Sequence, residues 1–196
     1  MTIFQFAFDS IYQPSRREFL RGSGTTLTAS AFALLAGCNS LSAAEKKSPA
    51  DSMATDVNVL NSALGAEQQA VAAYQVGAES GLLQKPVLDL AVQFQGHHKA
   101  HADLLAATIK QLGGNPVAPL ARYDFPTDKL KNQADVLRFA AELERGAVSA
   151  YLNAVPVFGN RDLAKAAASI LGDEAMHWAV LRQAVGENPV PAAFMG

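Results

Sequence analysis

A chain of 196 residues, 49% hydrophobic and 17% charged, is long enough to bury the core of one well-packed domain. Its formal net charge of −2, with neither a basic stripe nor an acidic tail, lacks the electrostatic footprint that nucleic acid requires, so no nucleic-acid partner is expected. A single cysteine, Cys38, excludes an intramolecular disulfide.

The N-terminus reads as an address rather than as fold. Residues 15–21, SRREFLR, match the twin-arginine export consensus, and the apolar run TTLTASAFALLAG follows. At about 13 residues that run falls short of the roughly 20 a spanning helix needs, so it is expected to be a signal h-region. Its end, LAGC from Leu35 to Cys38, resembles a bacterial lipobox. On that reading residues 1–37 are a cleaved signal peptide and an acylated Cys38 becomes the mature N-terminus, dual acylation being enough for stable anchoring. Two other readings stand beside it: Cys38 as a buried thiol after an Ala-rich helix, or cleavage after Ala44 to leave a soluble periplasmic protein. Residues 38–55 are small, polar and without apolar periodicity, as in a flexible tether. The expected localisation is periplasmic, held at the membrane through lipidated Cys38.

From Asp56 onward, apolar positions alternate three and four apart over four segments, the pattern that helices in an antiparallel bundle turn to one another. The first seam runs Val57, Leu60, Leu64, Glu67, Val71, Tyr74, Ala78, with Thr55 or Asp56 as its cap and an end near Ser80-Gly81. Pro86 suits the first turn of the second, which runs Ala91, Phe94, His98, His101, Leu105, Thr108, Leu112 and stops at Gly113-Gly114. A Pro-rich stretch of about 18 residues, NPVAPLARYDFPTDKLKN, separates it from the third helix. That helix opens near Gln133, runs Leu137, Ala140, Glu144, Ala147, Tyr151, Ala154 and closes between Pro156 and Asn160. The fourth, from about Arg161 to Gly186, runs Leu163, Ala167, Ile170, Glu174, His177, Leu181, Ala184, leaving 187–196 as a tail. Each helix is about 25 residues, or roughly 38 Å. Short outer links and one long central link predict an all-α, antiparallel four-helix bundle over residues 56–186, with a crossover between its second and third helices.

The bundle contains an internal repeat. Helices one and three share E-x-x-A-V-x-A-Y, at Glu67–Tyr74 and Glu144–Tyr151, offset by 77 residues; Gly96–His101 matches Gly172–His177, offset by 76. Near-equal offsets point to a duplicated helical hairpin. The repeat collects Glu67, His98, His101, Glu144, Glu174 and His177 on the apolar seams, where an i, i+3 pair shares one helix face. Buried carboxylates must be paired, neutralised or bound to metal.

These residues resemble the ferritin-like superfamily, including bacterioferritins and rubrerythrins, and more closely exported bacterial proteins with a ferritin-like domain. The resemblance covers residues 56–186 and implies a two-metal carboxylate site, with a Glu on helices one and three and Glu-x-x-His on helices two and four. Carried over, Glu67 and Glu144 would be terminal ligands, His101 and His177 nitrogen ligands, and Glu174 a bridging carboxylate. One position departs from the pattern: His98 stands where the family has a second bridging Glu. Three Glu then face two divalent ions, for a net charge of +1 rather than 0. Two Fe or Mn ions, a zinc site, or one ion at Glu144, Glu174 and His177 all remain open. His97 is a substitute for His98, but it aligns with Asp173 and is read as a bystander.

Around these six, Tyr74 and Tyr151 are read first as core packing, with hydrogen bonds to ligands or a redox relay as alternatives. Trp178 is read as packing, and Glu142 and Lys99 as surface charges. Two functions compete. One is a redox-active dimetal protein, a ferroxidase or a peroxide consumer; the other is a non-catalytic metal-binding or scaffold lipoprotein of the envelope. Metal ions and the membrane are the expected partners, and a homodimer is left open.

Overall fold

The structure is a computed structural model, and it describes residues 48–195. The twin-arginine motif, the lipobox with Cys38 and the Ala44 site lie outside those residues. The described chain forms four helices: α1 (Pro49–Glu79), α2 (Lys85–Gln111), α3 (Gln133–Ala154) and α4 (Arg161–Ala184), with short 3-10 turns at Thr127–Lys129 and Val155–Val157. There is no strand among the described residues, and no described helix is long and apolar enough to cross a membrane.

The first helix begins eight residues before the first position of its apolar seam, at Pro49 rather than Val57. Ser48 is the N-cap, its Oγ accepting from the Asp51 amide at 3.1 Å, with a proline in the first turn. The helix therefore takes in residues 49–55, assigned from sequence to the tether. Neither Thr55 nor Asp56 is the cap, contrary to expectation. Asp56 is instead 4% exposed, and its carboxylate accepts the Gly159 amide at 2.8 Å and the Asn160 amide at 3.1 Å. A residue of α1 thus satisfies donors in the turn between α3 and α4.

The other boundaries follow their punctuation. Gly81 (φ 70°) and Gly113 (φ 78°) take the left-handed conformation after α1 and α2, which a Cβ would penalise. Asn132 and Asn160 cap α3 and α4 through their side chains. Gly114 has a second constraint, because a Cβ there would lie 2.7 Å from the Val57 side chain.

Two apolar clusters define the direction of every helix. One contains Leu60 and Leu64 of α1, Leu105 and Ile109 of α2, Tyr151 of α3, and Leu163, Ala167 and Ile170 of α4. The other contains Tyr74, Ala91, Phe94, Leu137, Ala141, Trp178 and Leu181. Hence α1 and α4 run from the first cluster to the second, whereas α2 and α3 both run back. Two consecutive helices pointing the same way require the connection between them to travel the length of the bundle, which is what residues 112–132 do. That crossover is pinned to α1: Asn61 bonds the Asn115 carbonyl at 3.1 Å and the Val117 amide at 2.8 Å, and Gln68 donates to the Val117 carbonyl at 3.0 Å.

The seams are broader than a strict three-four alternation. Ala141, Val148 and Ile109 are buried one position away from the expected Ala140, Ala147 and Thr108, Val136 is buried beside the expected Leu137, and Ala184 is exposed. Core-facing helices of a compact bundle bury a stripe wider than the narrow coiled-coil line. Packing is tightest within the hairpins, α1 on α2 and α3 on α4.

Candidate metal centre

Between the two apolar clusters lies a polar layer made by one turn of each helix. Glu67 on α1, His98 and His101 on α2, Glu144 on α3, and Glu174 and His177 on α4 all reach it. Five of them are 2% exposed or less, and the His101 side chain is 14% exposed. The structure thus brings together all six residues singled out by the repeat.

His98 sits in the middle. Its Nδ1 lies 2.8 Å from Glu67 Oε2 and its Nε2 3.2 Å from Glu144 Oε1, so one ring touches the carboxylates of both hairpins. Glu174 occupies the facing position, with Oε1 3.1 Å from His101 Nδ1 and Oε2 3.6 Å from His177 Nδ1. Two groups of donors result: Glu67, His98, His101 and Glu174, and His98, Glu144, Glu174 and His177. His98 and Glu174 belong to both. A carboxylate has an oxygen for each half, so Glu174 can serve both, whereas a neutral His98 ring has one lone pair and completes one half at a time.

Several of these atoms have no hydrogen-bond partner among the described residues: His101 Nδ1, Glu144 Oε2, both oxygens of Glu174 and His177 Nδ1. Leaving one such buried group unsatisfied costs about 1–3 kcal/mol. Their spacing of 3.1–3.6 Å matches what ligands of a common ion adopt. For bonds of about 2.0–2.1 Å, neighbouring ligands stand roughly 3.0 Å apart at right angles and roughly 3.3 Å apart at the tetrahedral angle. Carboxylate and imidazole together suit Fe, Mn or Zn. The residues present therefore fit a metal centre.

Without an ion the layer is held by protons. Burial alone would push the His98 imidazole down, but its bonds to Glu144 and Glu67 raise it to about 10. In the same way burial is outweighed at His101 by Glu174 and Glu67, and at His177 by Glu144 and Glu174, each ring rising to about 9. Burial pushes Glu67 up, yet His101 and His98 hold it below the ordinary range; Glu144 is lowered further by His177 and His98. Glu174 goes the other way, raised by burial with the Glu144 carboxylate beside it. Cations of the right charge are thus supplied by imidazolium until a metal replaces their protons.

The tyrosines are more than packing. Tyr151 donates to Glu67 Oε1 at 2.6 Å, and Tyr74 donates to Glu144 Oε1. Each comes from the opposite hairpin, so the repeat generates a reciprocal pair. Burial and the adjacent carboxylates raise both phenols above their ordinary value, which keeps them as donors. Phe94 stacks on the His177 ring with centroids 4.0 Å apart, fixing its plane. Trp178 packs in the second cluster, under the Arg182 guanidinium. Glu142 is a surface charge beside Arg145, and Lys99 donates to Gln95.

Sequence reasoning missed Asp173, and it misread His97. Asp173 Oδ2 lies 3.4 Å from His101 Nε2 and 3.3 Å from His177 Nε2, on the side of both rings away from Glu174. It orients the two imidazoles so that each presents Nδ1 to the core. His97 Nδ1 stands 2.9 Å from His177 Nε2 and 3.2 Å from Asp173 Oδ2, so it is no bystander. The alignment of His97 with Asp173 in the repeat was the available signal, because equivalent positions of a duplicated hairpin meet at its pseudo-two-fold axis. Finally, a cavity of about 380 Å³ opens between α1 and α3, floored by Glu67, His98 and Glu144 and walled by Ala63, Ala66 and Ala147.

Comparison with known proteins agrees with this fold. A conserved hypothetical protein from Mycobacterium tuberculosis superposes with a TM-score of 0.64 at 22% identity, covering 73% of this chain and 99% of its own. A ferritin-like, diiron-carboxylate protein from Bacillus anthracis gives 0.60 at 20% identity, covering 68% and 97%. At such identities the likeness is one of fold. No curated protein matches the sequence. The sequence pattern of the ferritin-like domain matches residues 55–187, most of the chain and all four helices with their six converging side chains, and the protein belongs to that family.

Proposed function

We propose that this chain is an exported metalloprotein that holds two redox-active divalent ions, Fe or Mn, in its bundle core and turns them over with O2 or peroxide. The observation that carries the reading is the pair of four-donor groups sharing His98 and Glu174. Glu67 and Glu144 would each close one end, His101 and His177 would supply one nitrogen each, and Glu174 would span the two positions. A bound pair would supply one-electron chemistry and Lewis acidity. Glu67 and Glu144 then keep their charge because Tyr151 and Tyr74 donate to them, Phe94 holds the His177 plane, and the apolar clusters above and below exclude bulk water. The cavity between α1 and α3 supports access by a small oxidant. The twin-arginine and lipobox motifs support folding and loading before export, with Cys38 as the anchor.

Aerobic Fe(II) addition to purified protein tests this, with elemental analysis of protein expressed with its export signal. Near-stoichiometric metal and oxidation of many Fe(II) equivalents per chain are expected. Metal content that is unchanged in His101→Ala/His177→Ala would overturn the reading. A second reading, metal held without turnover, draws on His98 in place of a bridging carboxylate; it predicts stoichiometric metal with no sustained Fe(II) oxidation.

A further inference from the structure

On the solvent side of the polar layer, outside the six residues of the buried centre, His97 and Asp173 meet the back of the His177 ring. The three donor atoms are 2.9, 3.2 and 3.3 Å apart, a compact triangle of two nitrogens and one carboxylate oxygen. Such separations equal those of ligands at right angles or tetrahedral angles around one divalent ion. The His97 side chain is 39% exposed and that of Asp173 24%, whereas His177 is at 2%. The triangle thus leads from surface to core, with a fourth position open to water.

We propose that His97 Nδ1, Asp173 Oδ2 and His177 Nε2 form an outer divalent-cation site, which captures an ion at the bundle surface and hands it to the buried centre through the shared His177 ring. It rests on the reading of the buried centre as a metal site. The His177 ring has one nitrogen toward each place: Nδ1 lies 3.5 Å from Glu144 Oε1 and 3.6 Å from Glu174 Oε2, and Nε2 faces the triangle. A neutral imidazole has one lone pair. An ion at the outer site takes the Nε2 lone pair while the ring's one proton sits on Nδ1, directed at the carboxylates. When the ion moves inward, the Nδ1 proton leaves to solvent as the ion takes that lone pair, and the vacated Nε2 takes up a proton from solvent and points it at Asp173. Inner occupancy therefore weakens the outer site, which makes it a station on the way in rather than a store. His101 Nε2 also lies 3.4 Å from Asp173 Oδ2, but the donor atoms that converge on this side are those of His97, Asp173 and His177.

Zn2+ uptake by the full chain separates the two sites. In Glu144→Gln/Glu174→Gln two of the three inner carboxylates become neutral and isosteric and both inner donor groups lose Glu174, so about one Zn2+ per chain should still bind, at the outer site; adding His97→Ala should weaken that binding at least about tenfold. In the otherwise native protein, His97→Ala should reach the same final metal content as wild type but load several-fold more slowly. The outer site is overturned if the folded double-Gln variant binds no Zn2+ while wild type does, if His97→Ala leaves its affinity unchanged, or if the single His97→Ala variant loads at the wild-type rate. A wild-type chain that takes up only one ion, lost on His97→Ala, would instead sink the inner centre and leave the outer site standing.

Discussion

Replacing His98 by Glu restores the carboxylate that ferritin-like centres carry at this position, and it should make folding depend on metal. In the metal-free protein the His98 ring contacts Glu67 Oε2 at 2.8 Å, Glu144 Oε1 at 3.2 Å and Glu174 Oε1 at 3.6 Å. His98→Glu removes the cation that these three share and sets a fourth carboxylate among them. Two like charges about 4 Å apart repel by about 4 kcal/mol at an effective dielectric of 20. Proton uptake by the new carboxylate limits the penalty, and taking one partner from a buried ion pair costs about 3–5 kcal/mol. A loss of about 4 kcal/mol is therefore expected, or about 8–16 °C in Tm for a domain of this size. Two divalent ions reverse the sign, since +4 meets −4 in the variant and −3 in the wild type. Thermal melts followed by circular dichroism, in chelator and in excess Mn2+, should show a larger Mn2+-induced rise in the variant, and its Fe(II) oxidation should be faster. A variant that melts within about 2 °C of wild type in chelator, or gains no more from Mn2+, would refute the placement of His98 between the carboxylates.

Tyr151→Phe deletes one hydroxyl without opening a cavity. The bond lost is to an ionised buried acceptor, so the metal-free protein should lose about 1.5–3 kcal/mol in urea unfolding, and Tyr74→Phe should behave alike through Glu144. Asp56→Ala strands the Gly159 and Asn160 amides; about 3 kcal/mol, read as a fall in the urea midpoint at unchanged m, is expected. The pH dependence of the metal-free protein has a definite sign. His98, His101 and His177 are raised to about 10, 9 and 9, so their contribution is complete below their unfolded value near 6.5 and is lost as pH rises through 9 to 10. Glu67 and Glu144 are lowered, so theirs is present above about 4.5 and lost as the solution is acidified. Melts in chelator across pH 4–10 should fall at both ends. Metal affinity should instead rise by about one decade per pH unit for each imidazole proton displaced, up to about pH 9, measurable by competition with a chromophoric chelator.

The helices, their order and the six inward side chains were legible because each leaves a periodic or repeated mark. Glu67 and Glu144 interrupt apolar seams at matching places, and the offsets of 77 and 76 residues tie the helices into two hairpins. What was not legible depends on contacts between hairpins. Asp56 looks like a cap because it precedes an apolar run, yet its partners lie more than 100 residues away. The start of α1 was hidden because residues 49–55 have no apolar stripe, and Ser48 with the proline after it carries the boundary instead. Tyr74 and Tyr151 stand seven residues past the Glu of their own helix, so the seam alone says only that they are buried. That each reaches the other hairpin's Glu follows from the antiparallel crossing of α1 and α3. His97 was set aside because Asp173, the residue that gives it meaning, was treated as the non-ligand half of the alignment.

Asp173 also bears on the negative charge that His98, standing in place of a carboxylate, does not supply. Two divalent ions with Glu67, Glu144 and Glu174 sum to +1, and a buried excess charge in a medium of low dielectric is costly. The carboxylate of Asp173 lies 3.3–3.4 Å from the outer nitrogens of both His177 and His101, the two rings that would face the ions. A negative group bonded to the far N–H of a ligating imidazole pushes electron density toward its metal-side nitrogen. Counting Asp173, the centre returns to neutrality with its fourth negative charge one ring away from the ions instead of between them. The position between them is then free for the neutral donor His98, which reaches Glu67 with one nitrogen and Glu144 with the other. The departure from the family pattern on α2 and the carboxylate on α4 are thus two parts of one arrangement. Asp173→Asn should accordingly weaken metal binding even though Asn keeps the size and one acceptor oxygen of Asp; equal affinity in the Asn variant would mean that the centre tolerates its excess charge unaided.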